Sequence, residues 1–298
     1  MNIAGAAASA DFTKICPLIS RRSNLKYAGD STLTVRVKNV EFGGDRPVII
    51  GGPCSVESVE QTLELAPAVK ACGADMLRGG AYKPRTSPHD FQGLGMEGLE
   101  ILREASLQTG LPIVTEVMDP RLVEQVGEYA DMLQIGSRNM QNYPLLTEVG
   151  KFGKPVLLKR GMAASLCEWL GAAEYIAKEG NLQIVLCERG IKAYPSGEYS
   201  RFILDLNVIP ALQAETFLPV IVDPSHATGV ASMVEPASRS ALEAGCHGLI
   251  IEIASDRPGA ARPKCDAAQA ISPAVLGRIV EFAHSRVGQR LESKACAV

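Results

Sequence analysis

The stretch RGGAYKPRTSP, residues 78–88, sets Arg78, Lys83 and Arg85 within eight positions, and two glycines and two prolines shape the chain around them. Cations held on a stiffened loop suit an anion in a fixed place, because the guanidinium fork matches phosphate and carboxylate oxygens in bidentate fashion. More cations follow short apolar runs elsewhere: Arg138 after MLQIG (132–136), Lys159 in PVLLKR (155–160) and Arg189 in IVLCER (184–189). Surface arginines usually end in solvated salt bridges. These cations instead follow apolar runs directly, and together they would repel one another unless anions neutralised them. Two phosphorylated substrates, or a phosphate with a carboxylate, would do so. A second set consists of Cys54 in VIIGGPCS (48–55), His226 in PVIVDPSH (219–226) and Glu252 in GLIIEI (248–253), with an acidic residue from the loop beyond. Taken singly, the cysteine reads as a small buried residue and the histidine as a loop residue. Together, thiolate, imidazole and carboxylate suit one divalent ion of the Mn²⁺, Fe²⁺, Co²⁺ or Zn²⁺ type.

These residues need elements to bring them together. The runs named above, with MLRGG (76–80) and PIVTEV (112–117), alternate with amphipathic segments such as 58–72, 98–110 and 165–180. Aliphatic runs alternating with helical patterns predict parallel strands with crossover helices. Eight such units close into a (β/α)₈ barrel, a TIM barrel; a doubly wound open sheet would usually carry fewer strands. A barrel puts chemistry at the C-terminal strand ends, where Cys54, Arg78, Glu116, Arg138, Lys159, Arg189, His226 and Glu252 fall in order. Strands one, seven and eight are neighbours in a closed barrel, which would let Cys54, His226 and Glu252 converge. Residues 33–46 alternate and then turn at Gly43-Gly44, which predicts a β-hairpin covering the bottom of the barrel. No composition shift divides the chain. The expectation is a loosely ordered tail over 1–30 and a single catalytic domain over 31–298.

Composition narrows the partners. At a net charge of −3 over 298 residues there is no global basic field, so nucleic acid is not expected. The 8 cysteines include no CxxC pair, which suits reduced thiols in a cytoplasmic protein better than a disulfide scaffold. No apolar run reaches the roughly 18 residues of a membrane span.

The motifs GGPCSVES (51–58), RGGAYKPRTSP (78–88), FQGLG (91–95), QIGSRNMQN (134–142), LLKRGM (157–162) and DPSHATG (223–229) stand in this order along the chain. With them the chain resembles the 3-deoxy-D-arabino-heptulosonate 7-phosphate synthase family over residues 33 to about 285. It is closest to the small form related to 3-deoxy-D-manno-octulosonate 8-phosphate synthase. The resemblance implies a (β/α)₈ barrel, a homodimer or homotetramer, and the first step of the shikimate pathway towards aromatic amino acids. In that step phosphoenolpyruvate, erythrose 4-phosphate and water give the seven-carbon sugar acid phosphate and phosphate. It implies metal ligands at Cys54, His226, Glu252 and an aspartate after the last strand. Asp266, followed by AAQ, is preferred over Asp256, and Cys265 beside it is read as inert. It also implies that Arg78, Lys83, Arg138, Lys159 and Arg189 surround phosphoenolpyruvate, with Gly136 and Ser137 also binding substrate. Arg85 and Thr86 would hold the sugar phosphate, Glu116 would position or activate water, and Lys159 would move a proton. His89 and residues 200–203 depart from the family pattern near the acceptor. The nearest rival is the eight-carbon synthase using arabinose 5-phosphate; a Schiff-base aldolase built on Lys159 is another.

Overall fold

The structure is a computed structural model and describes residues 10–27, 29, 31–85, 87–193 and 201–295. Its first strands, β1 (Val35–Val37) and β2 (Val40–Phe42), form an antiparallel hairpin. Eight strands follow: β3 (Val48–Gly52), β4 (Met76–Arg78), β5 (Ile113–Glu116), β6 (Met132–Ile135), β7 (Val156–Lys159), β8 (Ile184–Glu188), β9 (Val220–Val222) and β10 (Gly248–Glu252). All pair in parallel, and β10 joins both β9 and β3, which closes the barrel. The (β/α)₈ expectation holds, as does the hairpin.

Period-two alternation divides each strand between two environments. Ile49, Leu77, Leu133, Leu158, Leu186 and Ile251 pack outward in the layer shared with the helices. Val48, Ile50, Met76, Val114, Met132, Leu157, Val185, Ile221 and Ile250 fill the interior together with Val35, Val37, Val40 and Phe42 of the hairpin. The hairpin is therefore the floor of the barrel. Its reversal differs from the sequence expectation: Val37 pairs Val40, so the chain turns at Lys38–Asn39, with Lys38 at φ 52°, and Gly43 (φ 85°) serves the exit instead. Leu33 carbonyl oxygen would lie 2.4 Å from a Cβ on Gly43, which is why glycine stands there.

Local signals fix the helices between the strands. Ahead of the barrel stands the short α1 (Phe12–Ile15), and Ser58 caps α2 (Val59–Ala71) by accepting from the Gln61 amide. After α3 (Met96–Thr109), Gly110 supplies the left-handed C-cap at φ 70°. Next come α4 (Val123–Tyr129) and α5 (Tyr143–Phe152), the latter capped by Asn142. Ser165 and Glu168 form a capping box on α6 (Leu166–Lys178), whose Trp169 is buried and donates from Nε1 to the Leu158 carbonyl at 3.2 Å. The remaining helices are α7 (Val208–Glu215), the short α8 (Pro224–Thr228), α9 (Ala231–Glu243) and α10 (Pro273–Ala295).

Residues 11–27, expected within a loose tail, are fastened to the barrel. Arg21 donates to the carbonyls of Tyr27, Gly29, Ser31, Gln213 and Thr216 at 2.6–3.1 Å, and Tyr27 stacks on Phe217 with centroids 4.2 Å apart. A guanidinium can satisfy five carbonyls where an apolar tail could not, and the composition of the segment hid that role. Residues 1–9 lie outside the described residues. Among the described residues no helix is long and apolar enough to cross a membrane.

Candidate active site

The alternation that fills the barrel also delivers the chemistry. Two positions beyond inward-facing Met76, Val114, Met132, Leu157, Ile221 and Ile250 stand Arg78, Glu116, Gln134, Lys159, Asp223 and Glu252, all buried at the C-terminal mouth. Buried charges need partners, and those partners define the site. A strand crossing matters here too: a Cβ on Gly52 would sit 2.2 Å from the Arg78 carbonyl oxygen. Glycine therefore lets β3 approach β4 before the chain bends to Cys54.

Cys54, His226, Glu252 and Asp266 each offer one donor atom, and the four atoms lie within 4.8 Å of one another. Glu252 Oε1 is 3.2 Å from His226 Nε2, and Asp266 Oδ2 is 3.4 Å from Cys54 Sγ. Asp223 orients the imidazole through a 2.7 Å contact to Nδ1 and also pairs with Lys159. Burial alone would raise Asp223, but His226 and Lys159 outweigh it and hold the carboxyl well below the usual range. Burial lowers His226 and is only partly offset by Asp223 and Glu252. Asp223 meets the ring at Nδ1 and leaves Nε2 facing Glu252 and Asp266, the arrangement that a ligating histidine requires. Glu252 Oε1 is buried, accepts no hydrogen bond and has Arg78 NH2 at 3.2 Å as an ion-pair partner. A sulfur, a nitrogen and two carboxylates gathered this closely fit a borderline divalent ion. Asp256 is exposed on the same loop and is not in the group.

Cys265 is not the inert neighbour expected. Its Sγ is 3.1 Å from Cys54 Sγ and 3.0 Å from Arg85 NH1. The hydrogen bond between the two thiols, with Lys83 and Arg85 nearby, lowers Cys265 to about 7, while the same bond and burial raise Cys54 well above the ordinary thiol range. A cation at Cys54 would reverse this order, because a ligating thiol is deprotonated.

Above the donor group lies a cavity of about 200 Å³ lined by Arg78, Lys83, Arg85, Arg138, Lys159 and Arg189, with Glu116, Gly136 and Ser137 on the same wall. Lys83 Nζ donates to the Cys54 carbonyl and approaches its sulfur, both at 3.1 Å. The buried Nε and NH1 of Arg78, Nε of Arg85, NH1 of Arg189 and Oγ of Ser137 have no hydrogen-bond partner. Burial lowers Arg189, and Arg201 adds to this. Phe202 stacks 4.2 Å from the Arg189 guanidinium. A Cβ on Gly136 would lie 2.0 Å from Glu116 Oε1, so glycine there makes room for the carboxylate. Gln134 holds Glu116 Oε2 at 3.3 Å, which leaves Oε1 unpartnered.

The structure therefore gathers Cys54, Arg78, Lys83, Arg85, Glu116, Gly136, Ser137, Arg138, Lys159, Arg189, His226, Glu252 and Asp266 at one mouth. Thr86 and Ser200 lie outside the described residues, and His89 is exposed. Sequence reasoning missed Gln134, Asp223 and Arg201. The first two carry the same signal as the rest, a polar residue two places after an inward apolar one. Arg201 reaches Asp266 at 3.3 Å across 65 positions, and no local pattern marks that contact.

Fold and site define a (β/α)₈-barrel protein with a metal-type donor group beneath an anion pocket. Residues 27–288 match the model of the DAHP synthetase I family. The chain belongs to that family. Over 215 residues it is 48% identical to a phospho-2-dehydro-3-deoxyheptonate aldolase of Thermotoga maritima, covering 72% of this chain and 63% of that relative, so less than two thirds of the relative's length is spanned. A 2-dehydro-3-deoxyphosphooctonate aldolase of Syntrophotalea carbinolica is 33% identical, over 80% of this chain and 90% of its own length. The truncated 3-deoxy-D-arabino-heptulosonate 7-phosphate synthase of Thermotoga maritima superposes with a TM-score of 0.81 at 37% identity, covering 93% of this chain and 98% of that one.

Proposed function

We propose that this chain condenses phosphoenolpyruvate with erythrose 4-phosphate and water, giving 3-deoxy-D-arabino-heptulosonate 7-phosphate and phosphate. The observation that carries this reading is one cavity in which the partnerless N–H groups of Arg78, Arg85 and Arg189 stand beside the four-donor group. Buried donors without acceptors are costly, and substrate phosphate and carboxylate would satisfy them. The greater identity to the heptonate relative than to the octonate one supports the four-carbon acceptor, as does the sequence GGAYKPRTSP.

Arg78, Lys83, Arg138 and Arg189 hold the carboxylate and phosphate of phosphoenolpyruvate, with Gly136 and Ser137 closing that side. Arg85 and Thr86 hold the sugar phosphate. The methylene carbon C3 attacks the aldehyde carbon, a carbon–carbon bond forms, and the aldehyde oxygen takes up a proton. Water then adds at C2, and phosphate leaves by carbon–oxygen cleavage. Cationic character at C2 develops beside Glu116, whose free Oε1 accepts the proton of the added water. Lys159 supplies the proton taken up by the aldehyde oxygen. A divalent ion held by Cys54, His226, Glu252 and Asp266, of the Mn²⁺, Fe²⁺, Co²⁺ or Zn²⁺ type, would supply Lewis acidity towards a carbonyl oxygen.

The test is phosphate release from phosphoenolpyruvate with each aldose phosphate. Erythrose 4-phosphate should be used at least tenfold better than arabinose 5-phosphate, because one mismatched group costs about 1–3 kcal/mol. Equal or reversed use would replace this reading with the eight-carbon synthase.

Arg85 offers a sharper probe of the two-phosphate arrangement. Pro84 separates it from Lys83, which is buried over Cys54, whereas Arg85 reaches Cys265 nearer the rim. Arg85→Ala should raise KM for erythrose 4-phosphate about tenfold or more, since charge-assisted contacts are worth roughly 1.5–3 kcal/mol. Calorimetric titration of phosphoenolpyruvate should give nearly unchanged affinity. An equal loss for both ligands would mean that the loop does not separate them.

A further inference from the structure

The geometry points to Glu57 as a positioning residue for the cation site, acting through the backbone that carries Asp266. Glu57 lies in the loop after β3, three positions beyond Cys54, and outside both the donor group and the anion cavity. Its Oε1 accepts from Ser55 Oγ at 2.8 Å, from the Lys264 amide at 3.0 Å and from the Cys265 amide at 3.1 Å. Its Oε2 accepts from the same Lys264 amide at 2.8 Å. One carboxylate thus gathers the two amides that immediately precede Asp266.

Those amides sit where the chain is hardest to hold. Between β10 and α10 the loop has no helix or strand of its own, and Asp266 adopts φ 48°, one of two non-glycine residues with positive φ among those described. That left-handed conformation is tolerated by aspartate but has to be held by its surroundings. Side chains also tether this stretch at Cys265, through Cys54 and Arg85, and at Asp266, through Arg201, whereas the Arg257–Glu64 pair is exposed on both partners, and exposed pairs contribute little. Beyond Asp266, its carbonyl accepts from the Gln269 amide at 3.1 Å and Gln269 Nε2 reaches Glu252, so the far side of the turn is fixed to β10. Glu57 fixes the near side to β3. Between the two anchors the Asp266 carboxylate is presented with Oδ2 3.4 Å from Cys54 Sγ and 3.8 Å from His226 Nε2. A single residue thereby ties the loop that brings Cys54 to the loop that brings Asp266, and sets the spacing of two donors 212 positions apart.

The inference rests on reading Cys54, His226, Glu252 and Asp266 as a cation site, and the experiment separates the two claims. Chelator-treated full-length protein is titrated with Co²⁺ by calorimetry and by absorption of the thiolate–cobalt band. Wild-type protein should bind one ion. Glu57→Ala should bind it roughly 10–100-fold more weakly, the usual loss when a group supporting a ligand is removed, while phosphoenolpyruvate affinity stays within about twofold. Glu57→Gln, which keeps the shape but turns a donor towards an amide, should show the same loss and covers the case in which the alanine variant fails to fold. In an Asp266→Ala background, Glu57→Ala should cost nothing further, because effects transmitted through one ligand do not add. General loosening of the barrel would instead add to the loss of Asp266. No Co²⁺ binding by wild-type protein overturns the cation site itself. Binding by wild type that Glu57→Ala and Glu57→Gln leave unchanged, or that falls additively in the double variant, overturns the role of Glu57 alone.

Discussion

Chelation is expected to reduce phosphate release by about 10³-fold or more, since a catalytic ion supplies several kcal/mol of charge stabilisation. Adding back Mn²⁺ or a similar ion should restore the rate. His226→Ala and Cys54→Ala should behave like chelated protein, with no recovery at the same metal concentration. The fold should survive the cysteine change, because Cys54 stands at the mouth of the barrel and not in the layer between strands and helices. Asp223 holds the His226 ring through Nδ1 and leaves Nε2 towards the other donors. Glu252 Oε1 accepts no hydrogen bond and is met by Arg78 NH2 at 3.2 Å, so a cation would share with that guanidinium the charge of the buried carboxylate. Activity and metal content should be measured on the same samples. A preparation free of divalent ions at full activity would sink the metal reading and leave the donor group without a purpose.

Much of this arrangement is legible in the sequence, and the reason is periodicity. A parallel barrel strand has apolar neighbours on both faces, so its limits show as short aliphatic runs. The polar residue that ends each run has nowhere to go but the mouth. That logic reached Arg78, Glu116, Lys159 and Glu252 directly, since each is the last residue of its strand. Carried two residues past Ile221 it would have reached Asp223 as well. Loop residues obey no such rule. Cys54 and Cys265 meet across 211 positions, and a sequence containing both gives no sign of it. The same holds for Arg21, whose five carbonyl partners lie in two separate segments. In the hairpin segment Gly43-Gly44 is the stronger turn signal, but the reversal lies elsewhere. The pairing of Val37 with Val40 left Lys38–Asn39 to reverse the chain. The AAQ that follows Asp266 is a local signal, and the Asp266 carboxylate lies near Cys54 and His226, whereas Asp256 is exposed.

Lys159→Met should lower kcat by about 10³-fold, within the range for loss of a positioned proton donor. Lys159 is buried at the end of β7 and pairs with Asp223, which also holds His226. Methionine fills the stem of the lysine, so the change removes the ammonium with little loss of packing. Breaking a buried pair usually costs about 3–5 kcal/mol. The loss here should fall below that range, because Asp223 keeps both the ring and the amide of His226 as donors. Two roles then have to be separated. If Lys159 serves only as positive charge, Lys159→Arg should retain activity within about tenfold. If it moves a proton, Lys159→Arg should fail like methionine, because a guanidinium does not release its proton. The second outcome is expected, with phosphoenolpyruvate binding retained in the arginine variant. Borohydride reduction in the presence of substrates should leave the mass of the wild-type protein unchanged. A substrate adduct on Lys159 would mean that the lysine is a nucleophile, and the proton-transfer role assigned to it would have to be given up.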